Sequence, residues 1–253
     1  MPTWTTAALS RESRRLAGRC WRVVESQHMV STMKIVDTIA EQARLEELLE
    51  ESKPAIPEEC RGLHYLLFTP FRYGAPYPRG SRFRRAGITP GVFYACIQQA
   101  TAVAEMAFWR LLFYAESPHT PWPSNAGEYT AFSVRFSTSK GLDLTQPPLD
   151  RDAEKWTHPT DYSECHALAD AAREAGVTVL RYQSARAQGE NVALLSCSAF
   201  ASKQPIEQHR WRIHVGASGA RAIGEDPAHR LAFDRAFFAR DPRISHLSWQ
   251  REE

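Results

Sequence analysis

The chain has 253 residues, a formal net charge of +2 and an ordinary balance of apolar, aromatic and charged residues. That length is enough to fold around its own core without staples, and the composition excludes a low-complexity or strongly polyelectrolyte chain. A charge of +2 is too mild to imply nucleic-acid binding by itself.

Apolar runs are broken by Arg, Glu or Gln well before about 20 residues, so no transmembrane helix is expected. The N-terminal stretch lacks the apolar core of a secretory signal. Cys20, Cys60, Cys96, Cys165 and Cys197 are widely spaced and form no C-x-x-C pair. Neither a disulfide framework nor a zinc site is therefore expected. The resulting expectation is a cytoplasmic protein with reduced thiols and no metal.

In chain order, residues 1–22 show weak periodicity and read as a loose extension or a first helix. "STMKIVDTIAEQARLEELLEESKP" reads as a helix. Ser31 or Thr32 can cap it, Ile35, Ile39, Leu45, Leu48 and Leu49 recur along it, and Pro54 stops the chain beyond its end. "LHYLLF" reads as a strand. "TPFRYGAPYPRGSRFRRAGITPG" reads as a long loop, ordered by Phe71, Tyr73, Tyr77 and Phe83, and loops of that length are usually functional or disordered. "VFYA" is a short buried strand, followed by a helix over residues 99–115.

That helix has no evident solvated side and should be buried on most sides. "EYTAFSVRFST" alternates as a strand, and "DYSECHALADAAREAG" is a helix ended by Gly176. "VTVLRYQSA", "ENVALLSCSAF" and "RWRIHVGAS" follow as strands, and "DPAHRLAFDRAFFARDP" as a closing helix. One α+β domain with an N-terminal helical extension is the simplest organisation.

The distribution of charge points to a site. Between Glu59 and Glu116 the sole acidic residue is Glu105, while Arg61, Arg72, Arg79, Arg82, Arg84, Arg85 and Arg110 share the segment and lysine is absent. Arginine suits planar, bidentate recognition of phosphate. Glu105 lies within an otherwise apolar helix, where a carboxylate without a partner would cost several kcal/mol. It therefore faces a cleft or is paired with an arginine. No dinucleotide or P-loop glycine motif, nucleophile elbow or H-E-x-x-H helix occurs.

Arg72–Tyr73, Arg82 in "GSRF", Tyr94 on "VFYA", Glu105 eleven residues on and Ser184 in "RYQSA" are similar in order and spacing to the RES domain family. That family is the toxin half of bacterial RES–Xre toxin–antitoxin pairs. The resemblance covers about residues 62–200, and the helix at 31–52 resembles one in longer members. The turn reads Ser-Arg-Phe-Arg where the family has Gly-Arg-Trp-Asn, so Arg84 could share or replace the role of Arg82. Beyond about residue 205 nothing matches.

The resemblance implies an ADP-ribosyltransferase-like fold, with a central split β-sheet flanked by helices. It divides the chain into a helical extension over residues 1–55 and a NAD-binding domain over 56–253. It also implies a toxin that cleaves the nicotinamide–ribose bond of NAD, taken as substrate, with water or inorganic phosphate as acceptor. NADP is a further candidate substrate.

Glu105, Arg82 and Tyr94 would be catalytic, and Arg72, Tyr73, Arg82, Tyr94 and Ser184 would bind the dinucleotide. An Xre-type antitoxin would be the partner, with nucleic acid reached only through it and no membrane contact. Transfer of ADP-ribose to a protein such as phosphoribosyl pyrophosphate synthetase is the alternative. A non-enzymatic nucleic-acid-binding module and a purely structural interaction protein are readings from other classes.

Overall fold

Residues Arg14–Glu25, expected to belong to a helical extension, form a strand. The computed structural model describes residues 4–26, 35–73, 80–87, 90–245 and 247–250. In it a short helix α1 (Thr6–Glu12) leads into β1 (Arg14–Glu25). Four arginines obscure the alternation of β1, and three of them find partners across the fold. Arg14 pairs with Asp143 and Arg19 with Glu207, while Arg22 donates to the Tyr94 carbonyl. Cys20, Trp21 and Val23 are buried between them.

Helix α2 (Ile39–Glu51) begins at Thr38, which makes a reciprocal capping box with Glu41. Ser31 and Thr32, the expected caps, lie outside the described residues. α2 buries none of its side chains. "LHYLLF" is not a strand: its last four residues begin helix α3 (Tyr65–Arg72), and His64 caps it. A short apolar run is compatible with either state, and here His64 decides it by accepting the Leu66 N–H at the helix start.

The long loop follows α3, and Tyr77 and Arg79 lie outside the described residues. Next come β2 (Phe93–Cys96), α4 (Gln99–Glu116), β3 (Gly127–Asp143), α5 (Ala153–Thr157), α6 (Ser163–Glu174), β4 (Val179–Gln183) and β5 (Glu190–Leu194). The chain ends with β6 (Glu207–Gly216), β7 (Gly219–Gly224), β8 (Arg230–Phe233) and α7 (Pro242–Ser245). The expected closing helix is thus a strand and turns. Leu231 and Phe233 alternate, and Asp234 then accepts the Phe237 N–H to start a turn, so no helical period is sustained.

The architecture is mixed α+β. The sheet order is β1-β2-β5-β4-β3-β6-β7-β8, and β1 also pairs along β3. The expected split sheet is therefore a single hydrogen-bonded network. β1 closes it by meeting β2 at Trp21–Cys96 on one edge and β3 along its length on the other.

α4 packs its Val103, Ala107 and Leu111 side into the core shared with β1, β6 and β7. It is not buried all round, because Trp109 and Phe113 are about half exposed. Cys60 and Cys197 form a disulfide across 137 residues, contrary to the expectation of reduced thiols. Their separation along the chain gives no sign of the pairing, which arises because the turns before α3 and after β5 meet. Among the described residues, no helix is long and apolar enough to cross a membrane.

Candidate active site

A carboxylate in an apolar helix needs donors, and the chain supplies them from the connection between β4 and β5. Gly189 there has φ +107°, and a Cβ on it would meet Thr101 Oγ1 of α4 at 2.5 Å. Only glycine permits this approach without strain. Thr101 in turn donates to the Gln188 carbonyl at 2.8 Å, fastening the loop to the helix.

Ser184 Oγ accepts the N–H groups of Arg186 and Ala187 and donates its proton to Glu105 Oε1 at 2.7 Å. Asn191 Nδ2, on β5, donates to the same oxygen at 2.9 Å. Arg186 Nη1 lies 3.3 Å from Glu105 Oε2. The side chains of this ion pair are only 7% and 15% exposed. Glu105 is thus both an ion-pair member and part of a cavity wall.

The cavity measures about 650 Å³, within the range of small-molecule sites. Arg22, Arg82, Tyr94, Glu105, Trp109 and Asn191 line it. Arg82 reaches it from a tight turn in which Ser81 and Arg84 exchange backbone hydrogen bonds. A Cβ on Gly80 would come within 2.9 Å of the Arg84 carbonyl, so this turn needs glycine there. Phe83, fully buried, anchors the turn edge-on against Tyr182.

The Tyr94 hydroxyl accepts the Phe83 N–H at 2.9 Å and shares a hydrogen bond with Ser81 Oγ at 2.8 Å. Burial raises its pKa above the ordinary tyrosine value. With its hydroxyl committed to the turn, Tyr94 offers the cavity its ring. Those two bonds fasten the turn on either side of Arg82.

Arg82 is 6% exposed and donates through Nη1 to the Trp156 carbonyl at 2.7 Å. Its guanidinium stands 4.8 Å from the Tyr162 ring centre. Nη2 is buried and makes no hydrogen bond among the described residues. Such an orphaned charged donor costs free energy unless a ligand satisfies it. Arg22, whose pKa burial lowers to about 10, stands at another part of the wall.

Glu105, Arg82, Tyr94 and Ser184 are therefore brought together. Arg72 is not. At the end of α3 it turns away to pair with Glu50 at 2.6 Å and to donate to the Pro54 carbonyl. Tyr73 lines an adjoining hollow of about 390 Å³, which shares Arg22, Ser81 and Tyr94 with the main cavity. Arg84 lines that hollow too and donates to the Tyr73 carbonyl.

Arg186, Asn191, Tyr162, Arg22 and Arg243 also face the cavity and were not expected there. Arg186 had one usable signal, its position two residues after Ser184. The others come from distant strands and turns.

The RES domain family model matches residues 56–215. No curated protein matches the chain. Among solved structures, a chain of the M. tuberculosis MbcT–MbcA toxin–antitoxin complex is similar at 14% identity and a TM-score of 0.46, covering 79% of this chain and 90% of that one. The family match spans well over half of the sequence and contains Arg82, Tyr94, Glu105, Ser184, Arg186 and Asn191. The chain belongs to the RES domain family.

Proposed function

We propose that the protein is a toxin-type enzyme of an ADP-ribosyltransferase-like kind, which cleaves the nicotinamide–ribose bond of NAD with water or inorganic phosphate as acceptor. The observation that carries this reading is Glu105. It is a carboxylate oriented by Ser184, Asn191 and Arg186 on the wall of a cavity that Arg82 also lines.

As the bond between nicotinamide and ribose C1 breaks, its electron pair leaves with nicotinamide and positive charge develops on the sugar. A fixed carboxylate beside that carbon stabilises the charge, and more strongly in a water-poor site. An acceptor oxygen then bonds to C1, and its proton goes to solvent or to Glu105. Arg82 would bind the pyrophosphate, and the Tyr94, Trp109 and Tyr162 rings offer faces for the bases.

Ser184 acts one step back. Its two backbone N–H donors leave its own proton for Glu105, so it holds the carboxylate rather than the ligand. The arginines of the turn have partners within the protein: Arg82 is buried, Arg84 bonds the Tyr73 carbonyl and the part-exposed Arg85 pairs with Asp170 at 2.6 Å. This favours a small anionic ligand over a nucleic acid.

One observation supports transfer to a protein as the second reading. Trp109 and Phe113 leave an apolar rim at the cavity, 48% and 46% exposed, against which a macromolecular acceptor could sit. An antitoxin of the Xre type would be expected to cover the same mouth. Mass spectrometry of NAD incubated with the purified protein, with and without phosphate and candidate proteins, separates these outcomes. ADP-ribose, its 1″-phosphate or a modified protein each identifies one acceptor, and intact NAD in every mixture removes the enzyme reading.

A further inference from the structure

The family match ends at residue 215, yet the chain continues into the cavity wall. Phe238, Ile244 and Leu247 of this last segment are buried in the same core as α4, and Phe238 meets Phe108 edge-on. This packing delivers Arg243 to the cavity. Its guanidinium is held from behind by Asp241, whose oxygens accept from Nε at 2.9 Å and Nη2 at 2.6 Å. Nη2 also donates to the Pro159 carbonyl at 3.2 Å. Asp241 is 4% exposed, so the clamp is built into the core and does not sway in solvent.

Three guanidiniums converge around one tyrosine. Arg186 Nη2 donates to the Tyr162 hydroxyl at 3.2 Å, and Arg82 lies against the Tyr162 ring. Arg243 stands near the same hydroxyl, whose proximity helps raise the arginine pKa after the larger effect of Asp241. Glu105 offsets Arg186 and Asp241 offsets Arg243, whereas the partners of Arg82 are the Trp156 carbonyl, the Tyr162 ring face and the Cys165 thiol, with no carboxylate among them. Buried Nη2 of Arg82 and Nε of Arg186 lack hydrogen-bond partners among the described residues. Like charges gathered in a partly dry wall repel one another unless an anion lies between them.

We propose that the Asp241–Arg243 clamp completes a phosphate-binding end of the cavity with Arg82 and Arg186, making the C-terminal segment a specificity element for phosphorylated ligands. The proposal deepens the NAD-cleaving reading and rests on it for the identity of the ligand. The phosphate could belong to the dinucleotide or arrive as the free acceptor.

Calorimetric titration of the full-length protein with ADP-ribose, nicotinamide riboside and inorganic phosphate tests it, using wild type, Arg243→Met and Arg243→Lys. Loss of one charge-assisted contact should weaken ADP-ribose binding about tenfold to hundredfold in Arg243→Met. Nicotinamide riboside should bind equally well to both, and Arg243→Lys should recover part of the loss. Phosphate that competes with ADP-ribose marks the dinucleotide's own subsite, whereas phosphate that binds alongside it marks an acceptor subsite.

Unchanged ADP-ribose and phosphate affinities in a folded Arg243→Met protein would overturn the proposal. So would equal losses for nicotinamide riboside, which would indicate a merely structural arm. NAD turnover with an unchanged KM for both NAD and phosphate in Arg243→Met sinks this proposal alone. Wild-type protein that binds ADP-ribose through Arg243 but leaves NAD intact sinks the catalytic reading alone.

Discussion

Two arginine–carboxylate pairs show what burial does to similar chemistry. Arg186–Glu105 lies in the cavity wall, with both side chains largely covered and with Ser184 and Asn191 bonded to the carboxylate. Arg72–Glu50 joins α3 to α2, and its glutamate is 54% exposed and also pairs with Lys53. Lys53 and then Arg72 hold the Glu50 carboxyl below its ordinary pKa, but water screens that pair. The first pair is held by several partners in a largely covered place, as the proposed chemistry requires. The second fastens one helix to another.

Separating structure from chemistry at the first pair should give the largest effect. Glu105→Gln should lower NAD turnover about 10²- to 10³-fold, the usual loss for one preorganised electrostatic partner. Glu105→Ala should also destabilise the fold, by about 3–5 kcal/mol where a buried charge is left alone. Adding Arg186→Met to Glu105→Ala should restore much of that stability without restoring turnover. Thermal melting beside single-turnover NAD assays reads both, and a double variant that regains activity would show that the carboxylate only balances Arg186.

Arg82→Met comes next. It should raise KM about tenfold to hundredfold with a smaller change in kcat, since the lost contact is to the bound dinucleotide in both ground and transition states. A fall in kcat alone would move Arg82 from binding to chemistry. Ser184→Ala should cost about 1 kcal/mol of stability and roughly tenfold in turnover, because Asn191 and Arg186 still hold Glu105. A loss as large as that of Glu105→Gln would mean that Ser184 touches the ligand itself.

A subtler effect comes from the thiols. Burial raises Cys165 to about 11 and Cys20 to about 12. Their folded pKa values exceed the ordinary value of 9.0, so the native state holds these protons longer. This contribution to stability is fully present below pH 9 and is lost as pH rises toward about 11 and beyond. The slope of stability against pH from 9 upward should be shallower in Cys165→Ala, by urea titration at each pH. An unchanged slope would refute the assignment. Last, Arg72→Ala should leave turnover unchanged and shift the melting temperature only slightly. A large loss of activity would return Arg72 to the binding site and break the contrast between the two pairs.

Local patterns made much of this legible. The odd position of Glu105 in an apolar helix, the glycine and aromatic residues around Arg82, and Ser184 near a strand end are all visible within short windows. Their convergence is the part of the site that the sequence order already suggests. What stayed hidden depends on distant chain segments. β1 was masked by its arginines, whose charges make sense only once Asp143, Glu207 and the Tyr94 carbonyl are beside them. The Cys60–Cys197 bond and the arrival of Arg243 through α7 are likewise products of tertiary packing. Arg72 went the other way: its place beside Tyr73 suggested the cavity, but Glu50 and the Pro54 carbonyl outside that window bind it instead.

The most direct measurement is the product spectrum of NAD incubated with wild-type protein and with Glu105→Gln at matched folded concentration. The expected result is free nicotinamide and one ADP-ribosyl product from wild type, with formation slowed at least about a hundredfold in the variant. Equal rates in the two proteins, or untouched NAD with a wild type shown to be folded and free of inhibitor, would contradict the role given to Glu105.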